Sequence, residues 1–319
     1  MNKHSSIKSA GSLVERAAEM YDFGAALRGG AAPIVPTQEP VAVPEAVVVV
    51  PAPTIAPALS PIAAMQPRAP HSSATRVVEI NRERLAAFNF IVPDGPVSGL
   101  SEEFRIVKRQ LLLAARGGKG VDAVPHGERI LVCSANPDEG KTYCAINLAL
   151  SMASEKDNRV LLVDADFAKP SVLSTLGIES GPGFMDALAD DRVEAESFII
   201  ETDIEGLSIL PAGSRTNQDT EYLAAARTAQ IIDDLTRNDP SRIIIFDSPP
   251  ALAASPASVL ALHVGQVLMI VHADETTDSA LRDALSLLSG CEHVQLLLNR
   301  AKFSPTGRKF GNYYGYGAS

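Results

Sequence analysis

The stretch RILVCSANPDEGKTYCAINLAL, residues 129–150, predicts a phosphate-binding loop between a buried strand and a helix. Residues 130–133 form a short apolar run typical of a buried strand. A loop of small residues follows, and apolar residues then recur at helical spacing after Thr142. The first turn of a helix has unpaired backbone N–H groups and a positive dipole end, and both attract an anion.

The loop matches the motif G-x-x-x-x-G-K-[ST] except at its first position, where Ala135 replaces glycine. In this motif Lys141 would place a positive charge on the outer phosphates of a nucleotide, and the Thr142 hydroxyl would bind Mg²⁺. We therefore predict nucleotide binding. The alternative is an ordinary glycine-containing turn between a strand and a helix.

Composition limits the class of protein. The chain has 319 residues, 46% of them hydrophobic, but only 5% are aromatic and none is Trp, so its core must be aliphatic. Such a core is typical of parallel α/β sheets. The net charge of −10 argues against a general nucleic-acid binder. Three cysteines, on apolar patterns and without metal-ligand spacing, indicate reduced core thiols.

The N-terminal region differs in composition from the rest. Residues 1–30 contain one amphipathic helix pattern, at 12–27, which fits either a frayed terminal helix or a docking peptide. Residues 31–75 are rich in Pro, Ala and Val, which predicts a disordered, semi-rigid linker or, less simply, a proline-motif ligand. The sequence shows no signal-peptide pattern, and prolines interrupt its most apolar early stretch, so we expect no direct membrane insertion.

Acidic residues close two of the predicted buried strands. The run RVLLVDAD at 159–166 ends in Asp164 and Asp166, which would share one face, and RIIIFD at 242–247 ends in Asp247. In open α/β sheets, ligands bind at the carboxyl ends of the strands. Beside a phosphate loop, such acids can accept a hydroxyl proton or order Mg²⁺. A plain turn and helix cap is the alternative.

Strand and helix patterns alternate through the rest of the chain, which predicts a doubly wound, mostly parallel sheet with right-handed crossovers. Further strands are expected at 207–210, 266–272 and 294–299. Further helices are expected at 81–90, 98–113 (with Ser101 as N-cap), 183–188, 220–236 (with Thr220 as cap) and 276–289. The ordered P-loop domain should cover residues 76–301.

Two charged or aromatic features remain. Glu102, Arg105 and Lys108 lie three residues apart on a predicted helix and would form one stripe, either a solvated face or a subunit contact. Residues 302–319 are glycine-rich and predict a flexible tail that carries Tyr313, Tyr314 and Tyr316. A flexible tail would let a tyrosine reach a neighbouring active site. A tail with incidental aromatics is the alternative.

Taken together, four features resemble the bacterial tyrosine kinases (BY-kinases): residues 135–142, 160–170, 243–250 and the terminal tyrosine cluster. The first three are similar to that family's Walker A, Walker A′ and Walker B motifs. Four further stretches are similar to its exosortase-associated exopolysaccharide autokinases: residues 100–113, 220–222, 263–266 and the Tyr-Tyr-Gly-Tyr tail. The resemblance, from about residue 101 to the C-terminus, implies a MinD/ParA-like P-loop NTPase fold.

The resemblance also implies roles for the site residues. The catalytic residues would be Lys141, Asp164 and Asp166, with Asp164 as the base for the acceptor hydroxyl and Asp166 assisting at the metal. ATP would be bound by Asn136, Glu139, Gly140, Lys141, Thr142, Tyr143 and, by analogy at the adenine, Asn299. Mg²⁺ would be held by Thr142, Asp164 and Asp247. Asp138 departs from the Gly or Asn common in the family, and its carboxylate is unfavourable near phosphate unless it points away.

Partners are likewise implied by the resemblance. The family's Glu-x-x-Arg-x-x-Arg stripe is matched by Glu102, Arg105 and Lys108, which favours a subunit contact in a homo-oligomeric ring, with eight as one candidate size. Lysine in the last place keeps the charge but loses the bidentate fork of arginine. Phosphorylated tails would repel one another and loosen the ring. Because the sequence has no spanning segment, we expect a cytoplasmic protein, recruited to the inner membrane by the cytoplasmic part of a transmembrane adaptor.

Two other functions compete with the tyrosine kinase. One is a ParA/MinD-like positioning ATPase. That family has a second lysine early in the loop, which would fall at position 136, and the Asn136 found there argues against it. The other is a nucleotide-binding scaffold of an export machine in which Asp138 has blunted catalysis.

Overall fold

The computed structural model of the chain describes residues 77–302. The helix predicted within residues 1–30, the linker predicted at 31–75 and the tail beyond residue 302, with its three tyrosines, lie outside the described residues. No helix between residues 77 and 302 combines the length and the apolar character that crossing a membrane requires.

The described chain alternates helices and strands as the sequence predicts. In chain order these are α1 (Arg82–Ala87), α2 (Gly99–Arg116), β1 (Arg129–Ser134), α3 (Lys141–Ala153), β2 (Arg159–Asp164), α4 (Val172–Leu176), α5 (Phe184–Ala189), a 3₁₀ turn (Ala195–Phe198), β3 (Ile200–Glu201), β4 (Leu207–Leu210), α6 (Asp219–Ala224), α7 (Ala226–Arg237), β5 (Arg242–Asp247), α8 (Pro256–Leu260), β6 (Gln266–His272), α9 (Asp278–Leu287) and β7 (Val294–Asn299).

The strands form one seven-stranded sheet in the order β3-β4-β2-β5-β1-β6-β7. All pairs are parallel except β3 with β4, which confirms the predicted, mostly parallel sheet. After β1 the chain moves first toward β2 and β4, and after β5 toward β6 and β7. This change of direction makes the carboxyl end of β1 the position where such sheets bind ligands.

The core has two layers, one on each face of the sheet. Side chains alternate along a strand, so in β1 Leu131 and Cys133 pack on the layer covered by α5 to α9, while Ile130 and Val132 pack on the layer covered by α1 to α4. Every residue of β1 and β5 is buried. The three cysteines are free, buried thiols, as expected.

Most predicted strands begin and end where expected, but β2 is shorter than predicted. It ends at Asp164, two residues before the predicted end. The Asp164 carboxylate accepts hydrogen bonds from the backbone N–H groups of Asp166, Ser171 and Val172, and these bonds turn the chain away from the sheet. Asp166 therefore lies in a loop, not on the strand face shared with Asp164.

Two predicted helix caps are wrong. Ser98, not Ser101, caps α2, and Ser101 instead donates and accepts as the third residue of a capping box. Thr220 lies within α6, whose N-cap is Gln218, and the single helix expected from Thr220 is two helices, α6 and α7, separated by extended backbone at Ala225. The Thr228 hydroxyl donates to the Tyr222 carbonyl, so a side chain satisfies the oxygen that a continuous helix would use.

The prediction that three charged side chains form one stripe on α2 is wrong at Lys108. Glu102 and Arg105 form an ion pair with 2.5 Å between oxygen and nitrogen. Lys108 is buried, and its Nζ lies 2.7 Å from the Ser151 carbonyl and 3.0 Å from Glu155. Its aliphatic stem packs in the interface between α2 and α3 while the ammonium reaches acceptors at the end of α3. Lys108 is thus engaged within the chain and not on the face that presents the other two charges.

Candidate functional site

The loop between β1 and α3 is held by hydrogen bonds within it and by two more from the ends of β6 and β7. The buried Glu139 side chain accepts from the backbone N–H and the side-chain amide of Asn136, each at 3.1 Å. The Thr276 hydroxyl donates to the same carboxylate at 2.6 Å, and the Asn299 amide donates to the Glu139 carbonyl at 2.9 Å. Three residues predicted to contact the nucleotide, Asn136, Glu139 and Asn299, therefore hold the loop in its conformation.

Two residues of the loop have left-handed backbone. Gly140 has φ 92°, and a Cβ there would collide with the Asn299 amide, so both conformation and space require glycine. Asp138 has φ 63° and is exposed. Aspartate tolerates this conformation better than most residues, which accounts for its place in the turn.

The loop delivers the start of α3 as an anion site. Gly140 precedes Lys141 without any side-chain cap, so the first N–H groups of α3 have no capping acceptor. The Lys141 ammonium lies 3.2 Å from an Asp166 oxygen, and both side chains are largely buried. The Thr142 hydroxyl lies 3.2 Å from the Ser171 hydroxyl. N–H groups, an ammonium and a hydroxyl thus converge where phosphates would bind.

The two acids that end β2 and β5 are direct neighbours in the sheet. Asp164 pairs with Asp247 in register, and both are almost fully buried. Burial raises the pKa of the Asp164 carboxyl to about 6, although three backbone N–H groups donate to it. Burial and then the charge of Asp164 raise the pKa of Asp247 to about 7. A carboxylate with a pKa near 6 is suited to accept a proton near neutral pH.

The Asp247 carboxylate fits a cation. Both of its oxygens are buried and have no hydrogen-bond partner among residues 77–302. A buried carboxylate without donors is costly, and a divalent cation would supply the missing charge. Thr142, the second residue of α3, lies beside this acid. A hydroxyl together with one or two carboxylates is what the protein contributes to a typical Mg²⁺–nucleotide site. The residues present therefore suit Mg²⁺ bound together with phosphates.

The Tyr143 side chain packs against the segment before α2. Its hydroxyl donates to the Asn89 carbonyl at 2.7 Å, and its ring packs on Phe90 with centroids 5.0 Å apart. The side chain thus fixes the segment before α2 to the phosphate-loop helix.

Two residues of the site escaped the sequence analysis. Ser171 contacts both Thr142 and Asp164, and Thr276 holds Glu139. Ser171 directly follows the matched residues 160–170, so that extended motif could have drawn attention to it. Thr276 follows β6, far from the loop in sequence, and no local pattern marks it.

Comparisons with known proteins give the family. Residues 129–301 match the family model of the AAA domain (AAA_31). The chain is 28% identical over 200 residues to the putative tyrosine-protein kinase EpsB of Ralstonia nicotianae, a match that covers 59% of this chain and 26% of EpsB. It is 25% identical over 228 residues to the putative tyrosine-protein kinase CapB of Staphylococcus aureus, covering 71% of this chain and 94% of CapB. The chain thus spans about a quarter of EpsB and nearly all of CapB.

A solved structure shares the fold. The crystal structure of the chimerical protein CapA2B2 superposes with a TM-score of 0.58 at 24% identity, and it covers 72% of this chain and 95% of that chain. This likeness confirms the predicted architecture of the sheet and its flanking helices.

Proposed function

We propose that this chain, which belongs to the AAA domain family, is an ATP-dependent tyrosine kinase that phosphorylates Tyr313, Tyr314 and Tyr316 of a neighbouring copy. The observation that carries this proposal is the buried Asp164 at the edge of a phosphate loop, with its pKa raised to about 6. The similarity to proteins named tyrosine kinases supports the same choice of reaction.

In the proposed reaction, the chain's own groups position the phosphates and move one proton. The N–H groups at the start of α3 and the Lys141 ammonium bind the phosphates of ATP. Asp164 accepts the proton of the tyrosine hydroxyl while the tyrosine oxygen forms a bond to the γ-phosphorus of ATP. The bond from that phosphorus to the bridging oxygen breaks, and ADP leaves with the bond's electrons. Mg²⁺, when held by Thr142 and Asp247 beside Asp164, supplies positive charge against the phosphate oxygens.

Lys141 has two proposed states. Its ion pair with Asp166 at 3.2 Å holds the ammonium in the loop before phosphates bind. A nucleotide would compete for this ammonium, and Asp166 would then be free to assist near the cation. Asp166 is therefore proposed as an assisting residue in the metal's surroundings.

The proposed regulation of the kinase is the assembly of its copies into a ring. A ring would place the tail of one copy at the site of the next, and Glu102 and Arg105 are the candidate contacts, without Lys108. Phosphates added to the tails would repel one another and loosen the ring. An adaptor's cytoplasmic segment would recruit the protein to the inner membrane, and the cycle would gate exopolysaccharide export.

The test compares the full-length chain with its Lys141→Met variant. We expect phosphotyrosine on the parent chain in the presence of ATP and Mg²⁺, and at least a hundredfold less on the variant. ATP binding is measured separately. A parent chain that binds ATP but forms no phosphotyrosine, with or without the adaptor's cytoplasmic segment, would overturn the kinase proposal in favour of a scaffold.

A further inference from the structure

The strand β7 forms an unprotected edge of the sheet. It is last in the strand order, it pairs only with β6 among residues 77–302, and it contains no charged residue and no proline. Leu296 and Leu298 are 57% and 56% exposed. Soluble proteins usually protect such an edge, because its unpaired backbone groups can bind another strand. We propose that residues 45–50 of the same chain dock on β7 as an additional, antiparallel strand. This docking does not depend on the proposed kinase function.

The opposite edge of the sheet differs from β7 because it is short, charged and covered. The strand β3 has only two residues, and one of them is Glu201. Val78 N–H donates to the Glu201 carbonyl at 2.9 Å, and Asp203 N–H donates to the Val78 carbonyl at 3.0 Å. The start of the described chain thus occupies the β3 edge. In the described part of the chain, β7 is the edge that stays open.

The backbone of β7 points hydrogen-bonding groups outward at the two exposed leucines. The His293 carbonyl, just before β7, accepts from Val267 N–H of β6 at 2.9 Å. In a strand, both backbone groups of one residue point to the same side and those of the next residue to the other. The N–H and C=O groups of Leu296 and Leu298 therefore point away from β6. A strand added at this edge would pair these groups and also cover the two side chains.

The run Glu-Ala-Val-Val-Val-Val at residues 45–50 has the length and composition of a partner strand. It is the longest proline-free run between Pro33 and Pro70, and it is flanked by Pro44 and Pro51. Valine favours strands, whereas proline has no N–H to donate and would end the ladder on both sides. The run therefore matches the six residues of β7 in length.

Charge and exposure favour the antiparallel direction. Arg300 directly follows β7 and is exposed, and Glu45 is the only charged residue of the run. In an antiparallel pair, Glu45 at the start of the run lies beside the end of β7, where the two side chains can form an ion pair. Antiparallel strands also tolerate one face open to water, and β7 has such a face at Leu296 and Leu298. The residues before Pro44 would then leave the domain beside the start of the tail.

The same chain is a better source of the added strand than a second copy. Residues 51–76 connect the run to Val77, and at about 3.1 Å per residue they span up to about 80 Å when extended. From β3, where the described chain meets the sheet, to β7 are six strand spacings, or about 29 Å. A tethered strand thus reaches β7 and docks without bringing two molecules together. Two β7 strands from separate copies would share only a strip about 20 Å long and one strand wide. That contact is far smaller than the about 1,200 Å² of a stable interface between proteins.

Paired proline substitutions test the run without replacing any residue of the described fold. Val48→Pro together with Val49→Pro removes one N–H on each side of the run, so the ladder breaks in any register. Ala63→Pro together with Ala64→Pro is the matched control, because it makes the same change in the proline-free run at 62–66. Both double variants are made in the full-length chain.

Amide hydrogen exchange at Leu296 and Leu298 measures the pairing of β7. Their outward N–H groups exchange quickly with water when the edge is open and slowly when a strand accepts from them. We expect exchange in the parent chain to be about tenfold slower or more than in the double variant at Val48 and Val49. The control variant should keep the parent rate. All three chains are measured at two protein concentrations.

Every other outcome overturns the docking of residues 45–50. Fast exchange at both leucines in the parent chain means that the edge is open. Slow exchange that survives the double substitution means that something else covers β7: a second copy if the protection grows with protein concentration, and another segment of the chain if it does not. Equal acceleration by the control variant means that the effect is not specific to the run.

Charge reversal tests the direction of the added strand. Glu45→Lys places two positive side chains beside each other in the antiparallel arrangement, so exchange at Leu298 should become faster. Arg300→Glu in the same chain should restore the slower rate. A Glu45→Lys chain that exchanges like the parent chain would overturn the antiparallel direction.

Discussion

The phosphate loop and the Asp164–Asp247 pair lie side by side, yet they differ in whether their buried carboxylates have hydrogen-bond partners. In the loop, the Glu139 carboxylate accepts hydrogen bonds from Asn136 and Thr276, and the Glu139 backbone carbonyl accepts one from the Asn299 amide. In the acid pair, both Asp247 oxygens are buried without a hydrogen-bond partner among the described residues. The loop is thus organised before ligand binding, and Asp164 has backbone donors, whereas Asp247 becomes favourable only with a cation. Groups held ready for charge that appears later are the basis of electrostatic catalysis.

The largest effect should come from Asp164. If it is the base, Asp164→Asn should lower tyrosine phosphorylation by about 10²–10⁴-fold while ATP binding persists. In the parent chain, kcat should fall about tenfold per pH unit below pH 6, because the pKa of Asp164 is raised to about 6. The measurement is kcat for tail phosphorylation against pH.

The matched control for this change is Asp157→Asn. Asp157 is exposed and precedes the opposite end of β2, so its amide variant should keep the parent rate and pH profile. An Asp164→Asn variant with the parent rate would remove the base from the mechanism.

The next effect concerns stability and tests whether the acid pair is costly without a cation. Because the pKa of Asp247 in the folded chain, about 7, exceeds its ordinary value of 3.8, the folded state binds more protons between about pH 4 and pH 7. The free energy of unfolding of the parent chain therefore falls as pH rises through this window. Asp247→Asn should raise that free energy by about 2 kcal/mol at pH 8 and by little at pH 4.

Chemical denaturation with EDTA present, at pH 4 and pH 8, measures this difference. Added Mg²⁺ with nucleotide should stabilise the parent chain more than the variant. A variant less stable than the parent at pH 8 would show that Asp247 is satisfied in the cation-free chain.

The smallest effect should come from the organised loop. Thr276→Val removes the hydroxyl that donates to Glu139 and accepts from His272 N–H, and we expect a loss of about 1–2 kcal/mol of stability. Because the loop loses one of its ties, nucleotide affinity should also fall a few-fold. Thermal unfolding and nucleotide titration check both.

Thr220→Val is the control for this loss, because the Thr220 hydroxyl bonds to the exposed Ser255 hydroxyl and not to Glu139. It should change stability by less than about 0.5 kcal/mol. Equal losses from the two substitutions would show that the tie at Thr276 is not specific to the loop.

Sequence patterns predict those parts of the fold that depend on local order. The strands β4 to β7 are bounded as predicted because each is a short, mainly apolar run with a clear end. Ser98, not Ser101, caps α2, because two serines three residues apart can exchange roles in a capping box. The two-residue β3 went unpredicted, since a strand so short is stabilised by its neighbours and has no period of its own.

For the site, the sequence indicates which residue types gather but not how they bond. Lys141, Asp164 and Asp247 were expected at one edge of the sheet, and the structure brings them together. The bonds that tie Glu139 to Thr276, and Lys108 to the end of α3, join residues distant in sequence. Such contacts exist only after the sheet and helices have packed, so no local pattern could reveal them.

The most direct test of the kinase proposal is a map of phosphate on the tail. The full-length chain and its Lys141→Met variant are incubated with ATP and Mg²⁺, and their tail peptides are analysed by mass spectrometry. We predict phosphate on Tyr313, Tyr314 or Tyr316 of the parent chain and none on the variant. A parent chain whose tail stays unphosphorylated, or a variant phosphorylated to the same extent, would contradict the proposal.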